Sequence, residues 1–499
     1  MNLFRRKRQY RAAPSSKRVS AWLREISENS KDVSAELVET PFGVLTLYYV
    51  DDLINTERLN MDALRPLKKN PWTSYSDIER IIYSDTIKRT TDIQEINERL
   101  FTGSVVCQLP SAPDEVLMLE VPTNVQRDIS IPETEFSVVG PREAFVEKLE
   151  TNVFLIRKRL PIEDFRVKNI TIGKLSKTKT SVFYIDSIAD QANVNTVIQR
   201  IKDVEYDEVL GSNALSQMIQ DHSFTIFPAF VNTERPDRAA AALAEGKVVF
   251  MCDGSPEAII APSTLVEFFT SLEDYYLPWH IASFVRLLRL ISVTFSIIAT
   301  PVYVAVLTFH YEMIPKDLLS TLIASRSNIP FPPLIEAIFL EFTIELLREA
   351  GARLPTKVGQ TIGIVGGIVI GQASVEAGLT SNVLLIVVAL AALASFTSPV
   401  YQMGNTVRII RFPFMIGAAL MGGIGIAISF VFVVTHLIRL ESLGRPYFAP
   451  FFPLRISDWR DTFVRLPFNV LYKRPHQSRA AYRQKLPAEK IGKKEDIDE

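Results

Sequence analysis

From Met1 to about Tyr276, charges of both signs interrupt the chain every few positions, and no apolar run approaches the roughly 18–20 residues that cross a bilayer. Beyond Leu290 the pattern changes. Leu290–Phe309 and Val358–Val375 carry no charge, and Asn382–Val400 and Phe412–Ile438 are uncharged apart from His436. Four such runs in one chain predict an integral membrane protein, since four consecutive buried helices of a soluble core are a far rarer arrangement. A fifth apolar stretch, Phe331–Leu347, is interrupted by Glu336, Glu341 and Glu345 and is expected to be re-entrant or interfacial rather than a simple lipid-facing span.

The charged half reads as α/β in two pieces that divide near residue 140. Strand-rich composition marks Phe42–Val50, and Ser104–Leu109 with Glu115–Val121 predict a hairpin around Ala112-Pro113. A helix is expected from Gly140-Pro141, with Phe145, Leu149, Val153, Ile156 and Leu160 on one face. Strands follow at Arg166–Ile172 and Ser181–Ile185, then helices near Val194–Ile201 and Asn213–Ile219. A further helix opens after Thr233-Glu234-Arg235-Pro236-Asp237 and stops at Gly246, and Lys247–Met251 with Glu257–Ile260 predict a second hairpin. The expected fold is therefore multi-domain, with a cytoplasmic α/β N-terminal region in two subdomains followed by an α-helical transmembrane bundle. The expected divisions are a basic tail over 1–40, subdomains over 41–139 and 140–280, a membrane domain over 281–440 and a basic cytoplasmic tail over 441–499. The membrane segments are placed at 290–309, 331–347, 358–376, 382–400 and 412–438.

Charge refines this picture at both ends. Of the 499 residues 22% are charged, yet the formal net charge is −1, which gives no basic surplus for nucleic acid. Seven Lys or Arg and no acid precede position 20, but no apolar h-region follows them, so no cleaved signal peptide is expected. From Arg439 to Lys485 ten Lys or Arg face three acids. With Arg286 and Arg289 before the first span, the positive-inside rule predicts both ends in the cytoplasm, with the basic termini able to meet lipid headgroups. Asp274-Tyr275-Tyr276 reads as an aromatic interface belt. Cys107 and Cys252 sit in no CxxC and predict buried thiols in a reducing compartment. The chain lacks HExxH, a nucleophile elbow and a Walker A loop, and its five histidines have no ligand spacing. No enzyme, metal or cofactor is expected.

Two constellations carry chemistry. Gly359, Gly363, Gly367 and Gly371 recur every fourth position, so one helix face can accept another backbone closely. Thr361, Val365, Ile368, Gln372 and Glu376 lie roughly opposite and suit the wall of a narrow water path, or polar bonding inside a bundle. In Phe331–Pro355, Glu341, Glu345 and Arg348 share one side of a helix while Glu336 lies on the far side. That pattern fits a cation-attracting vestibule or gate, or an amphipathic helix in the membrane interface.

Long strings then tie the chain to a family. Gly140–Leu160, Phe227–Pro256, DYYLPW (Asp274–Trp279) and above all Pro330–Leu379 resemble the A subunits of the GerA spore germination proteins. The resemblance implies a protein of the spore inner membrane that acts when dormancy ends. It implies work beside a transporter-like B subunit and a lipoprotein C subunit, and a homo-oligomeric ring, a pentamer, around an ion channel for monovalent cations. Gly378–Phe412 instead looks like the stage V sporulation AF branch, whose members pair with a small membrane partner. Alternatives are a small-solute transporter subunit and a non-conducting scaffold of the germination complex.

Overall fold

A computed structural model of the chain describes residues 18–30, 33–82, 87–121, 132, 135, 139–354, 366–367, 369–468, 470–471 and 473–485. The chain divides into two compact units. One comprises the described parts of 1–223, 230–262 and 469–499, the other 224–229 and 263–468.

In the first unit, alternation of apolar residues builds an antiparallel sheet buried on both faces. Its strands are β1 (Val33–Thr40), β2 (Gly43–Val50), β3 (Ile87–Thr90), β4 (Ser104–Gln108) and β5 (Val116–Glu120), in the order β1-β2-β4-β5-β3. Leu45, Leu47, Val105 and Leu117 pack against Trp72, Tyr75 and Ile78. Tyr48, Val50, Val106 and Met118 point the other way, onto Trp22 and Leu23 of α1 (Val19–Asn29) and Ile96 and Leu100 of α2 (Ile93–Leu100). The predicted hairpin at 104–121 is present, with Ser104 opposite Glu120. The stretch expected as a tail up to residue 40 is folded from Val19 onward. Its seven cations precede an amphipathic helix that supplies one wall of the core, and charge counting alone concealed that helix.

A second antiparallel sheet repeats the same connectivity. Its strands are β6 (Phe165–Ile172), β7 (Thr178–Ile185), β8 (Val231–Thr233), β9 (Val248–Cys252) and β10 (Ala258–Ala261), ordered β6-β7-β9-β10-β8. Between them run α3 (Leu149–Arg159), which precedes β6, then α4 (Gln191–Lys202), α5 (Ser212–Ile219) and α6 (Pro236–Ala244). The sequence places the start of α3 at Gly140-Pro141, but the helix begins only at Leu149. Phe145 N–H is spent on the Glu234 carbonyl at 2.7 Å, and the Asn152 amide clamps both backbone groups of Val146. Asp253 Oδ1 then accepts from Leu149 N at 3.0 Å, satisfying a free donor at the helix start. Arg157 of α3 is buried between the rings of Phe101 and Phe165, 4.7 and 4.6 Å from their centres, so one guanidinium joins the end of α2 to β6.

The second unit is helical: α7 (Trp279–Thr308), α8 (Lys316–Arg326), α9 (Pro333–Arg353), α10 (Asn382–Ser395) and α11 (Tyr401–Arg439). The label α11 covers two limbs. Gly422 adopts φ 59° and ψ −137°, outside the helical region and costly for a side chain with a Cβ. Around it the chain reverses. Gly417 and Gly425 touch through their backbones, leaving no room for a Cβ on Gly425. Thr406 donates to the Ile226 carbonyl at 2.6 Å, while His436, thirty residues on, lies 3.0 Å from Thr225 Oγ1. At the opposite end, Gly423 N–H donates to His310 Nε2 at 3.1 Å. Where the sequence predicts one apolar segment over Phe412–Ile438, the structure therefore forms a helical hairpin that starts at Tyr401. Arg408 and Arg411, which end the uncharged run in the sequence, lie inside its first limb.

Among the described residues, α7 and α11 are long and apolar enough to cross a membrane. Residues 441–468, expected as part of a basic tail, are folded within this unit, and Arg474 and Lys485 bond to Ala244 and Glu245 in the first.

Candidate functional site

The chemically dense part of the helical unit surrounds α9. Pro333 suits its first turn, where a missing N–H costs nothing. Its carboxylates then meet arginines from other elements. Glu341 is buried against Arg411 of α11, and its other oxygen accepts from Thr300 of α7 at 3.1 Å. Arg411 also donates to Ser296 Oγ at 2.6 Å and to the Ala391 carbonyl of α10 at 3.2 Å, so one buried guanidinium gathers four helices. One turn on, Glu345 pairs with Arg348 at 2.5 Å, the i,i+3 neutralisation that the sequence allows, and Arg408 approaches it at 3.5 Å. Arg348 reaches Tyr401 and Asn405, each at 3.4 Å.

Glu336 faces elsewhere, as the helical spacing predicts. It is wholly buried and pairs with Arg326 of α8 at 2.8 Å. Nearby, Tyr303 and Ser381 hydroxyls lie 2.9 Å apart, tying α7 to the start of α10. Three carboxylates thus meet four guanidiniums, Arg326, Arg348, Arg408 and Arg411. The cluster has no surplus negative charge with which to attract a cation. Its chemistry is that of an ionic buttress: charges taken out of water are tolerable because each faces an opposite charge. Spacing revealed the carboxylates of this site and Arg348. It did not reveal Arg326, Arg408 or Arg411, whose partners are distant in sequence.

Of the glycine-rich segment, Gly359, Thr361, Gly363 and Val365 lie outside the described residues, as does Ile368. The remaining candidates divide. Gly371 packs against Leu385 of α10, 3.6 Å from where a Cβ would stand, whereas Gly367 faces open space. Gln372 and Glu376 are exposed and hydrogen-bonded to each other at 2.8 Å. The described glycine face is thus a packing seam at Gly371, with a polar pair left uncovered on the same helix.

At the start of α7, Asp274 is buried between Arg286 (3.1 Å) and Arg289 (3.3 Å). Its neighbour Tyr275 donates to Asp461 at 2.6 Å, and Arg286 also contacts Asp461. These arginines, read from sequence as topological signals, are structural ion pairs as well.

Comparisons with known proteins converge. The family profile described as Bacillus/Clostridium GerA spore germination protein matches residues 21–477. Spore germination protein GerQA of Bacillus cereus is 47% identical over 94% of each chain. Spore germination protein GerIA of the same organism is 46% identical over 88% of this chain and 66% of its own length. Spore germination protein B1 of Bacillus subtilis (strain 168) is 38% identical over 86% and 89%. A crystal structure of the N-terminal domain of the A subunit of the Bacillus megaterium spore germinant receptor GerK3 matches 49% of this chain and 93% of that one, at 21% identity and a TM-score of 0.36. With a matching profile over residues 21–477 and relatives 38–47% identical over 86–94% of its length, this chain belongs to the GerA family of spore germination proteins.

Proposed function

We propose that this chain is the A-type subunit of a spore germination complex, embedded in the spore inner membrane, and that its oligomer conducts monovalent cations once germination is triggered. The observation that carries the complex-level reading is the 47% identity to GerQA across 94% of both chains. It also favours the receptor-type A subunit, with transporter-like B and lipoprotein C partners, over the stage V AF branch. The two limbs of α11 count as two crossings, which supports a multi-pass topology with both ends of the helical unit on one side. The conducting role rests on the glycine-rich helix. With the acidic side chains of α9 paired with arginines, the uncovered Gln372 and Glu376 are, among the described residues of the glycine-rich segment, the polar groups able to line a path where copies of the chain meet. A closed and an open ring would then exchange under the influence of the partners.

Planar-bilayer recording of the reconstituted oligomer tests this reading. Gln372→Trp should reduce unitary conductance without changing assembled mass. Unaltered conductance in a correctly assembled oligomer removes Gln372 from the path, and saturable solute counterflow in place of conductance would make the protein a carrier.

A further inference from the structure

The chain after α11 has a basic composition, yet residues 441–468 are firmly built into the helical unit. Arg286 of α7 bonds Asp461, Ser283 Oγ donates to the Arg465 carbonyl at 3.0 Å, and Arg465 donates to the Leu277 carbonyl at 3.1 Å. Leu265 N–H donates to the Tyr447 carbonyl at 2.9 Å. Phe451, Trp459 and Phe463 form an aromatic cluster with ring centres 5.5–6.2 Å apart.

On this fixed scaffold, large apolar side chains point outward: Phe452 is 52% exposed, Leu454 64%, Ile456 70% and Phe468 60%. Flexible loops expose such residues at little cost, but a rigid segment that does so in a group marks a surface that something covers. Two observations say what. The segment is bonded to the first turns of α7, where Trp279 and Phe284 are also exposed, and it leaves directly from the end of α11. Both are the long apolar helices of the unit. Aromatic and aliphatic groups beside arginines, at the level where apolar helices begin and end, are the composition of a membrane–water interface.

We propose that residues 447–468 form a collar lying in the lipid headgroup layer, with Phe452, Leu454 and Ile456 immersed at the acyl boundary. Through its bonds to Ser283, Arg286 and Leu277 the collar fixes how deeply α7 is inserted. The proposal rests on α7 and α11 crossing a bilayer, and its test separates the two claims. Nitroxide labels are placed on Phe452→Cys, Leu454→Cys and Ile456→Cys variants of the full chain in phospholipid vesicles. Ile291→Cys, on the exposed flank of α7, and Lys168→Cys, on exposed β6, serve as references. Power saturation compares collision with oxygen, which favours lipid, and with a water-soluble nickel chelate.

The collar labels are expected to show oxygen-to-nickel ratios several-fold above that of Lys168 and below that of Ile291. If they match Lys168 while Ile291 remains oxygen-rich, the collar stands in water and the proposal falls alone. If both reagents are excluded at all three positions, protein covers this face and the lipid assignment is overturned. A water-like Ile291 overturns the crossing itself and the collar with it.

Discussion

Glu341 and Arg411 show what a buried charge does in this protein. Neither would be tolerated alone, because removing one partner leaves the other desolvated and unpaired, at a cost of about 3–5 kcal/mol. Glu341→Ala should therefore lower the unfolding temperature of the detergent-solubilised chain markedly. Glu341→Leu combined with Arg411→Met should recover most of the loss. An unchanged melting temperature for the single variant would show that the pair is not buried in the working protein. The sequence showed the carboxylate but not its partner, 70 positions away.

Cys107 makes a similar point in the first unit. Burial pushes its thiol up from 9.0 to about 12. The folded chain then holds the proton more tightly than the unfolded one, so Cys107 leaves stability unchanged below about pH 9 and subtracts from it as pH rises toward 12. Tyr75, also pushed up to about 12 mainly by burial, acts in the same direction. Urea midpoints at pH 8 and pH 10.5 should fall further for the native chain than for Cys107→Ala. Equal falls would mean that the thiol is not buried in solution.

Elements were read well wherever the signal is local. Short β-branched and apolar runs bounded by turn residues placed β2, β4, β5, β6 and β7 and both hairpins, because a strand covered on both faces is apolar at nearly every position. The start of α3 was misplaced because Glu234, Asn152 and Asp253 take up the backbone groups before it, and their proximity belongs to the folded state. The reversal of α11 was hidden for a related reason. Glycines at 422 and 423 permit a bend, and it is the contact of Gly417 with Gly425 that makes the bend a full reversal. Gly422→Ala places a methyl in a left-handed conformation, 2.7 Å from His310 Nε2 and 3.0 Å from Phe309 Cβ. It should destabilise the solubilised chain by at least about 1–2 kcal/mol. Tolerance without loss, measured by thermal unfolding, would mean that α11 does not reverse there.

At the scale of the whole molecule, the hairpin decides the topology. Tyr401 and Arg439 lie at one end of the helical unit, and Gly422 meets His310 at the other. In sealed, oriented vesicles, a membrane-impermeant thiol reagent should reach cysteines at the exposed Tyr276 and Glu441 from the same side, and a cysteine at Met421 from the opposite side. Labelling of Met421 from the side that reaches Glu441 would contradict two crossings. Helical spacing made the acidic half of the candidate site legible, since it is a property of one element. Arg326, Arg408 and Arg411 were not legible, since they arrive from two other helices.

What the sequence determined by itself is therefore what short-range physics writes into it: a charged α/β region, apolar membrane-length segments, a glycine-rich helix and membership of the GerA family. Period and composition act over a few residues and survive without knowledge of the fold. Tertiary structure alone decided that the carboxylates of α9 face arginines instead of open water. It decided that one apolar run becomes two limbs, and that a basic tail becomes a bonded collar. Each of those outcomes depends on which distant groups share a desolvated space, where an unpaired charge or a Cβ in the wrong place costs more than any local preference supplies.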